Sequence, residues 1–161
     1  MELLKIIIFE YVFGYILQGF VFTLGIFAFN RQKIVLKKYL IISMVLFIFI
    51  FLVRLMPISF GIHIILNLLF LFLVCVLILK MPLYTTIRST LLVTVFLLAS
   101  EMINVAVMIA ILGQDEFERM MSIPIEKAVV GLPGALLFAL LIFLSYIFLT
   151  RTKKDNNLIS K

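Results

Sequence analysis

Cysteine, histidine and charge are all scarce in this 161-residue sequence, which has one cysteine, one histidine and no tryptophan. A single cysteine excludes an internal disulfide framework, and one cysteine with one histidine is too few for a structural zinc site. We therefore predict neither a metal site nor a cofactor. Only 14% of the residues are charged, against about 25% in an average soluble domain. This shortage excludes a soluble globular enzyme, a nucleic-acid-binding domain and a disordered chain.

Hydrophobic residues are abundant instead, at 65% of the sequence or about 105 residues. One helical crossing of a bilayer needs about 20 apolar residues, so five crossings would use nearly all of them. The long apolar runs do not alternate as barrel strands would, so the sequence predicts an all-α polytopic membrane protein, a bundle of five transmembrane helices. The runs cover residues 6–29, 39–56, 62–79, 89–112 and 132–149. Together they form one predicted transmembrane domain, residues 1–150, followed by a short basic tail, residues 151–161.

The ends of these runs carry further expectations. The first run is too long for a signal peptide and has no Ala-x-Ala-type site after it, so we expect a retained span. Pro133 is expected in the first turn of the fifth helix, where its missing N–H costs nothing, with residues 131–134 forming a helix start that allows close packing. The longest link, residues 113–131, is partly amphipathic, so part of it is expected to lie on the membrane surface.

The distribution of basic residues predicts the orientation. With five spans, the first link, the third link and the tail share one side of the membrane, and that side holds ten of the fourteen basic residues. Positive charge stays in the cytoplasm, so we predict a multi-pass cell-membrane protein with its N-terminus outside and its C-terminus cytoplasmic. The ten residues are Arg31, Lys33, Lys37, Lys38, Lys80, Arg88, Arg151, Lys153, Lys154 and Lys161.

Polar residues inside the spans are candidate functional groups, because an ionisable group at the bilayer centre costs about 2.5–3.5 kcal/mol. Glu101 lies deepest, and Asn104 follows on the same helical face, as Asn67 follows His63. Most of these residues fall in the predicted outer half of the membrane, so we predict one ligand pocket open to the outside. Its candidate ligand-binding residues are Glu10, Arg54, His63, Asn67, Glu101 and Asn104.

Structural roles remain open for each of these residues. Glu10 and Arg54 lie near span ends, where long charged side chains reach the interface. His63 could orient the turn that precedes it, and Asn67 and Asn104 could hold helices together by hydrogen bonds. Glu101 could form a structural ion pair or be a neutral, hydrogen-bonded carboxyl group.

Sequence motifs of catalysis are missing. There is no nucleophile–base pair, no glycine-rich phosphate loop and no Gly-x-Ser-x-Gly elbow in the sequence. A single histidine and scattered carboxylates do not make an active site. We therefore predict that the chain is not an enzyme.

Three motifs carry a resemblance to a known family. They are the segment from Arg54-Leu55-Met56-Pro57 to His63-Ile64-Ile65-Leu66-Asn67, Glu101 within the fourth span, and Gly131-Leu132-Pro133. Together they resemble the membrane-spanning sensor region of GHKL-type histidine kinases of Gram-positive bacteria, such as quorum-sensing peptide receptors. The resemblance covers most of residues 1–150. The kinase segments of that family have no counterpart here, so the resemblance implies either a free-standing sensor relative or part of a longer kinase.

Two classes of function follow, with a third less favoured. A sensor would bind an extracellular peptide or small amphiphile and signal through its fifth helix to a cytoplasmic kinase or regulator. A transporter, or a membrane subunit of one, would use Glu101 to carry protons or a cation, although few polar residues are evident in the inner half of the spans. A partner that assembles another membrane protein is the third. The predicted partners are the lipid bilayer, the cytoplasmic regulator and a second copy in a homodimer, and not nucleic acid.

Overall fold

Six α-helices make up the described part of the chain, which comprises residues 14–31, 34–55 and 62–159 of a computed structural model. No strand occurs within these ranges. The chain is therefore all-helical where it is described, as the sequence predicts. In chain order the helices are α1 (Tyr15–Phe29), α2 (Leu36–Leu55), α3 (Ile62–Leu77), α4 (Leu83–Leu112), α5 (Gln114–Ser122) and α6 (Pro124–Ile159).

Three of these helices are long and apolar enough to cross a membrane. The apolar segments are Leu36–Val53 in α2, Leu83–Leu112 in α4 and Val129–Leu149 in α6. Two shorter apolar helices, Tyr15–Phe29 and Ile65–Leu77, correspond to the first and third predicted spans. The described residues thus have the helices of a membrane protein, while five crossings stay a prediction.

The last two long helices begin earlier than the sequence predicts. Helix α4 begins at Leu83, directly after Pro82, so residues 83–88 are helical and not a link. Helix α6 begins at Pro124 and passes through Pro133 without ending. The predicted helix start at residues 131–134 is therefore wrong. Pro124 takes the first position, where proline's fixed φ suits a helix, and an interior proline removes only one backbone hydrogen bond.

Helix α1 forms the centre of the bundle. Ten of its fifteen residues are buried, and it packs mainly on α6 and α2, with further contacts to α4. Two glycines allow these approaches. A Cβ atom added to Gly19 would lie 2.9 Å from the Ser43 backbone oxygen of α2, and one added to Gly25 would lie 2.6 Å from the Val93 side chain of α4. The small glycine surface is what lets the helix backbones meet.

The other helices surround this centre. Helix α3 packs on α2 and α4, and its Phe70 ring stacks on Phe49 with ring centroids 3.7 Å apart. Gly113, with φ of 84°, joins α4 to α5 in a conformation that favours glycine. Large apolar side chains cover much of the exterior, for example Met102, Ile111 and Phe148. An apolar exterior of this extent is typical of a protein surrounded by lipid.

Candidate functional site

Three of the six predicted site residues lie wholly or partly outside the described residues. Glu10 precedes the described part of the chain. Arg54 lies in the last turn of α2 and His63 in the first turn of α3, and their side chains are likewise outside what the structure describes. The structure therefore informs the predicted pocket through Asn67, Glu101 and Asn104.

Asn104 connects α4 to α6. Its side chain is buried, and its Nδ2 atom donates a hydrogen bond of 2.9 Å to the Val130 carbonyl oxygen. A Cβ atom added to Gly134 would lie 3.0 Å from Asn104 Cβ, so the glycine allows the amide to reach the α6 backbone. The close packing expected at residues 131–134 is found at Gly134, although no helix begins there.

The hydrogen bond from Asn104 falls beside the interior proline of α6. Pro133 has no N–H to donate to the carbonyl four residues earlier, at Val129, and its ring crowds that carbonyl. In membrane helices, side chains of neighbouring helices compensate the backbone around such prolines. Asn104 donates to the next carbonyl oxygen in the same turn of α6, that of Val130. We call Asn104, Val130, Pro133 and Gly134 the Asn104 junction.

Glu101 differs from Asn104 in its surroundings. It is exposed, whereas Asn104, three residues later on α4, is buried against α6. The two residues are neighbours on α4, as their spacing of three predicts, but only Asn104 is buried. Positions three apart on a helix differ by about 60° around its axis, and a narrow contact with one neighbouring helix can cover one and leave the other exposed.

Asn67 is the third informative residue. It is 4% exposed within α3, and its Oδ1 atom has no hydrogen-bond partner in the part of the chain that the structure describes. A buried amide oxygen without a donor costs about 1–3 kcal/mol. The atom is thus available to a polar group that enters from outside these residues.

A second polar group, absent from the predicted site, lies where α1 ends and α4 begins. Asn30 Nδ2 donates to Ser89 Oγ at 2.6 Å and to the Ile26 carbonyl oxygen at 3.0 Å, and lies 3.7 Å from Met81 Sδ. Arg88 Nη2 donates to the Phe29 carbonyl oxygen at 3.3 Å. We call Asn30, Met81, Arg88 and Ser89 the Asn30 cluster. Its sequence signal is the hydroxyl-rich run Thr85-Thr86-Ile87-Arg88-Ser89-Thr90 beside an asparagine at the end of an apolar run.

Charged residues also join α5 to α6. Arg119 pairs with Glu116 at 2.6 Å and with Glu126, in the first turn of α6, at 3.5 Å. The hydrogen bond from Arg119 holds the pKa of Glu116 below its usual range, and the same contact raises the pKa of Arg119. These side chains are largely exposed, so salt screens their attraction. The arrangement orients α5 relative to the start of α6.

Metal ligation finds no support in the residues that the structure describes. Among them, no three His, Cys, Asp or Glu side chains are grouped closely enough to hold a metal ion. Cys75 is buried in α3, where a thiol packs as a small apolar group.

Comparison with protein-family models, with curated proteins and with solved structures finds no match to this chain.

Proposed function

We propose that this chain is a membrane sensor module of five transmembrane helices, related to the sensor region of GHKL-type histidine kinases. In this proposal the N-terminus and α5 lie outside the cell, and the C-terminal end of α6 lies in the cytoplasm. An extracellular peptide or small amphiphile binds on the outer half of the bundle. The resulting movement of α6 reaches a cytoplasmic kinase or regulator.

The continuity of α6 is the observation that carries the proposal. One helix of 36 residues runs from the link after α5 to the basic tail. At 1.5 Å per residue its length is about 54 Å, well beyond the roughly 30 Å hydrocarbon core. A continuous helix can transmit a change at one end to the other, and an interior proline is a position where a helix can kink.

The Asn104 junction supports coupling between ligand and helix. Its hydrogen bond is made from α4 to α6 within three residues of Pro133. Glu101 is exposed one turn away on α4, and in this proposal it contacts a cationic or hydrogen-bonding group of the ligand. A ligand that draws α4 aside would weaken the bond to Val130 and change the bend of α6. Differential binding to the two states would then shift their populations.

A spin-label experiment tests this proposal. Nitroxide labels replace the exposed residues Tyr84 on α4 and Leu144 on α6, and pulsed dipolar spectroscopy measures the distance between them in liposomes. The probes are short apolar peptides with a free amino group, and long-chain alkylamines. We expect at least one probe to shift the distance distribution, and Glu101→Gln to abolish the shift.

The matched control is Glu118→Gln, which makes the same chemical change at an exposed site on α5. It should leave the shift in place. A distance that ignores every peptide and amine would count against the sensor, and an equal loss in both variants would remove Glu101 from the ligand site.

A small transporter is the second candidate, and one observation favours it. The sequence offers few amide or charged residues in the predicted inner half of the spans, but buried hydroxyl groups occur there, and Ser43 Oγ and Thr90 Oγ1 have no hydrogen-bond partner among the described residues. Such groups could extend a polar route beyond Glu101. Uptake of protons or alkali cations into proteoliposomes, lost in Glu101→Gln, would favour transport over sensing.

A further inference from the structure

Asn67 differs from the other two asparagines whose side chains are described. Asn30 donates to Ser89 Oγ, and Asn104 donates to the Val130 carbonyl oxygen. Both amides thus join two helices, which is a common structural role of asparagine in membrane proteins. The Oδ1 atom of Asn67 has no hydrogen-bond partner in the part of the chain that the structure describes. No helix-joining bond among these residues therefore accounts for that oxygen.

The Asn67 side chain lies on the side of α3 that faces the core. Leu71 and Val74, one and two turns later on the same face, belong to the buried apolar core of the bundle. The opposite face carries the exposed residues Ile65 and Leu69. Asn67 itself is 4% exposed. Its amide therefore faces an apolar interior and not lipid.

An amide oxygen buried in this way lowers the stability of the fold. The oxygen loses its hydrogen bonds to water when it is buried, and no donor among the described residues replaces them. Leucine has the same number of side-chain heavy atoms as asparagine and would carry no such cost at this position. A donor that arrives from outside the described residues would remove the cost.

The position of Asn67 along α3 indicates where such a donor comes from. Asn67 lies five residues after Ile62, where α3 begins, which is about 7.5 Å along the helix axis. In the proposed orientation this end of α3 is the outer one. The headgroup of an amphiphile in the outer leaflet is then about one and a half helical turns from the amide, and enters where α3 packs on α2 and α4.

We propose that Asn67 Oδ1 accepts a hydrogen bond from the headgroup of the amphiphilic ligand, so that the ligand belongs to the class with an N–H or O–H donor. This inference rests on the proposed function, because it assigns the contact of that ligand with α3. The contact requires a donor and not a positive charge. A primary ammonium or a hydroxyl group supplies one, whereas a quaternary ammonium or an ether does not.

The first test measures stability without ligand. The full chain is titrated with sodium dodecyl sulfate in mixed micelles and followed by circular dichroism. Asn67→Leu removes the unpaired oxygen, so we expect the folding equilibrium constant to rise about tenfold. The matched control, Asn104→Leu, makes the same change where the amide donates to Val130, and should lower the constant. A similar fall in Asn67→Leu would overturn the proposal, because the amide would then already have a partner within the chain.

The second test compares ligands that differ in one donor. Decylamine is paired with decyltrimethylammonium, and decanol with its methyl ether, and each affinity follows from the rise of the folding equilibrium constant with ligand concentration. We expect the donor to bind about tenfold more tightly in the charged pair and about threefold in the neutral pair. Both preferences should fall below about twofold in Asn67→Leu. Asn67→Asp, which keeps an oxygen acceptor, should retain the preference for decanol.

The distance between labels on α4 and α6 separates this inference from the sensor proposal. A donor preference that is lost in Asn67→Leu, without any change in that distance, would contradict the sensor and leave the contact of Asn67 supported. A distance change without a donor preference would overturn the contact and leave the sensor supported. A preference that persists in Asn67→Leu would also overturn the contact, because another group would then accept the hydrogen bond.

Discussion

The two ends of α4 differ in how firmly the bundle holds them. Between Leu83 and Ser100 six residues are buried, and they recur at helical spacing along the helix. Between Glu101 and Leu112 only Asn104 is buried. The first part of α4 is thus packed into the core, while the second buries one side chain, Asn104, which donates a hydrogen bond to α6. A helix held in this way can move at one end without disturbing the core at the other.

The polar residues at the two ends of α4 differ in where their hydrogen bonds go. Near the Asn30 cluster, hydroxyl groups mostly donate to backbone oxygens at the start of their own helix, as Thr85 and Thr86 both do to the Pro82 carbonyl oxygen. Such bonds satisfy a hydroxyl in a membrane helix without a partner helix. At the other end, Asn104 donates to a different helix, α6. Bonds between helices, such as this one and the bond from Asn30 to Ser89, couple the movements of two helices.

The largest effect is expected from filling the close contact between α1 and α2. In Gly19→Ala the added methyl group would press on the Ser43 oxygen at 2.9 Å and the Phe47 nitrogen at 3.1 Å, and backbone atoms cannot turn away as a side chain can. We expect the free energy of unfolding to fall by about 1–3 kcal/mol. Titration with sodium dodecyl sulfate in mixed micelles, followed by circular dichroism, measures it.

Gly131→Ala is the matched control, because a methyl group there would meet no atom within 4 Å in the described part of the chain. Alanine favours the helix over glycine, so this variant should be unchanged or more stable by up to about 1 kcal/mol. If Gly19→Ala were as stable as Gly131→Ala, the conclusion that the core around the first part of α4 is firmly packed would be wrong.

A smaller effect is expected from removing one amide at each end. Asn30→Ala should cost about 1 kcal/mol of unfolding free energy, because it leaves Ser89 without its donor and loosens α1 from α4. Asn104→Ala should cost about 0.6 kcal/mol, the usual size of one interhelical hydrogen bond in a membrane. The two variants should differ more in which helices they loosen than in how much unfolding free energy they remove.

Hydrogen exchange by mass spectrometry locates these effects. Asn104→Ala should speed exchange in the first third of α6 and leave α1 protected, since the described contacts of α1 with α6 include the core pair Phe22–Phe138 further along the helix. Asn30→Ala should speed exchange at the ends of both α1 and α4. Faster exchange throughout the bundle in Asn104→Ala would show that the two ends are not independent.

The sequence predicted the helical class well and the helix limits less well. Long apolar runs leave few alternatives to helices in a membrane, and the described part of the chain is all-helical. Pro133 misled the assignment of the fifth helix, because proline is as compatible with an interior bend as with a first turn. The neighbouring helix α4, which supplies Asn104, decides between an interior position and a first-turn position for Pro133. Local sequence does not predict that contact.

The candidate site was predictable only in part. Asn104 was found because an amide in a span needs a partner, but its partner is a backbone oxygen, which carries no residue signature. Glu101 was selected by its predicted depth, and its exposure on α4 could not be read from the sequence, because exposure depends on how neighbouring helices pack. The Asn30 cluster was missed because it joins residues about 50 and 60 positions apart, each ordinary by itself.

The smallest effect concerns the joint between α5 and α6, next to the loosely held end of α4. Arg119 lowers the pKa of Glu116, so this pair stabilises the folded state fully above the ordinary glutamate pKa of about 4.3. The contribution is lost as the pH falls through the lowered pKa of Glu116, when the carboxylate is protonated in the folded state too. Arg119 stays charged throughout. We therefore expect faster hydrogen exchange in α5 at pH 3 than at pH 6, after correction for intrinsic rates, with no matching change in α1.

Glu116→Gln should remove most of that dependence, whereas Glu118→Gln, which alters a carboxylate bonded to Gln114, should retain it. A pH effect of equal size in α1 would place the acid-sensitive contact in the core, and the proposed difference between the two ends of the bundle would then fail.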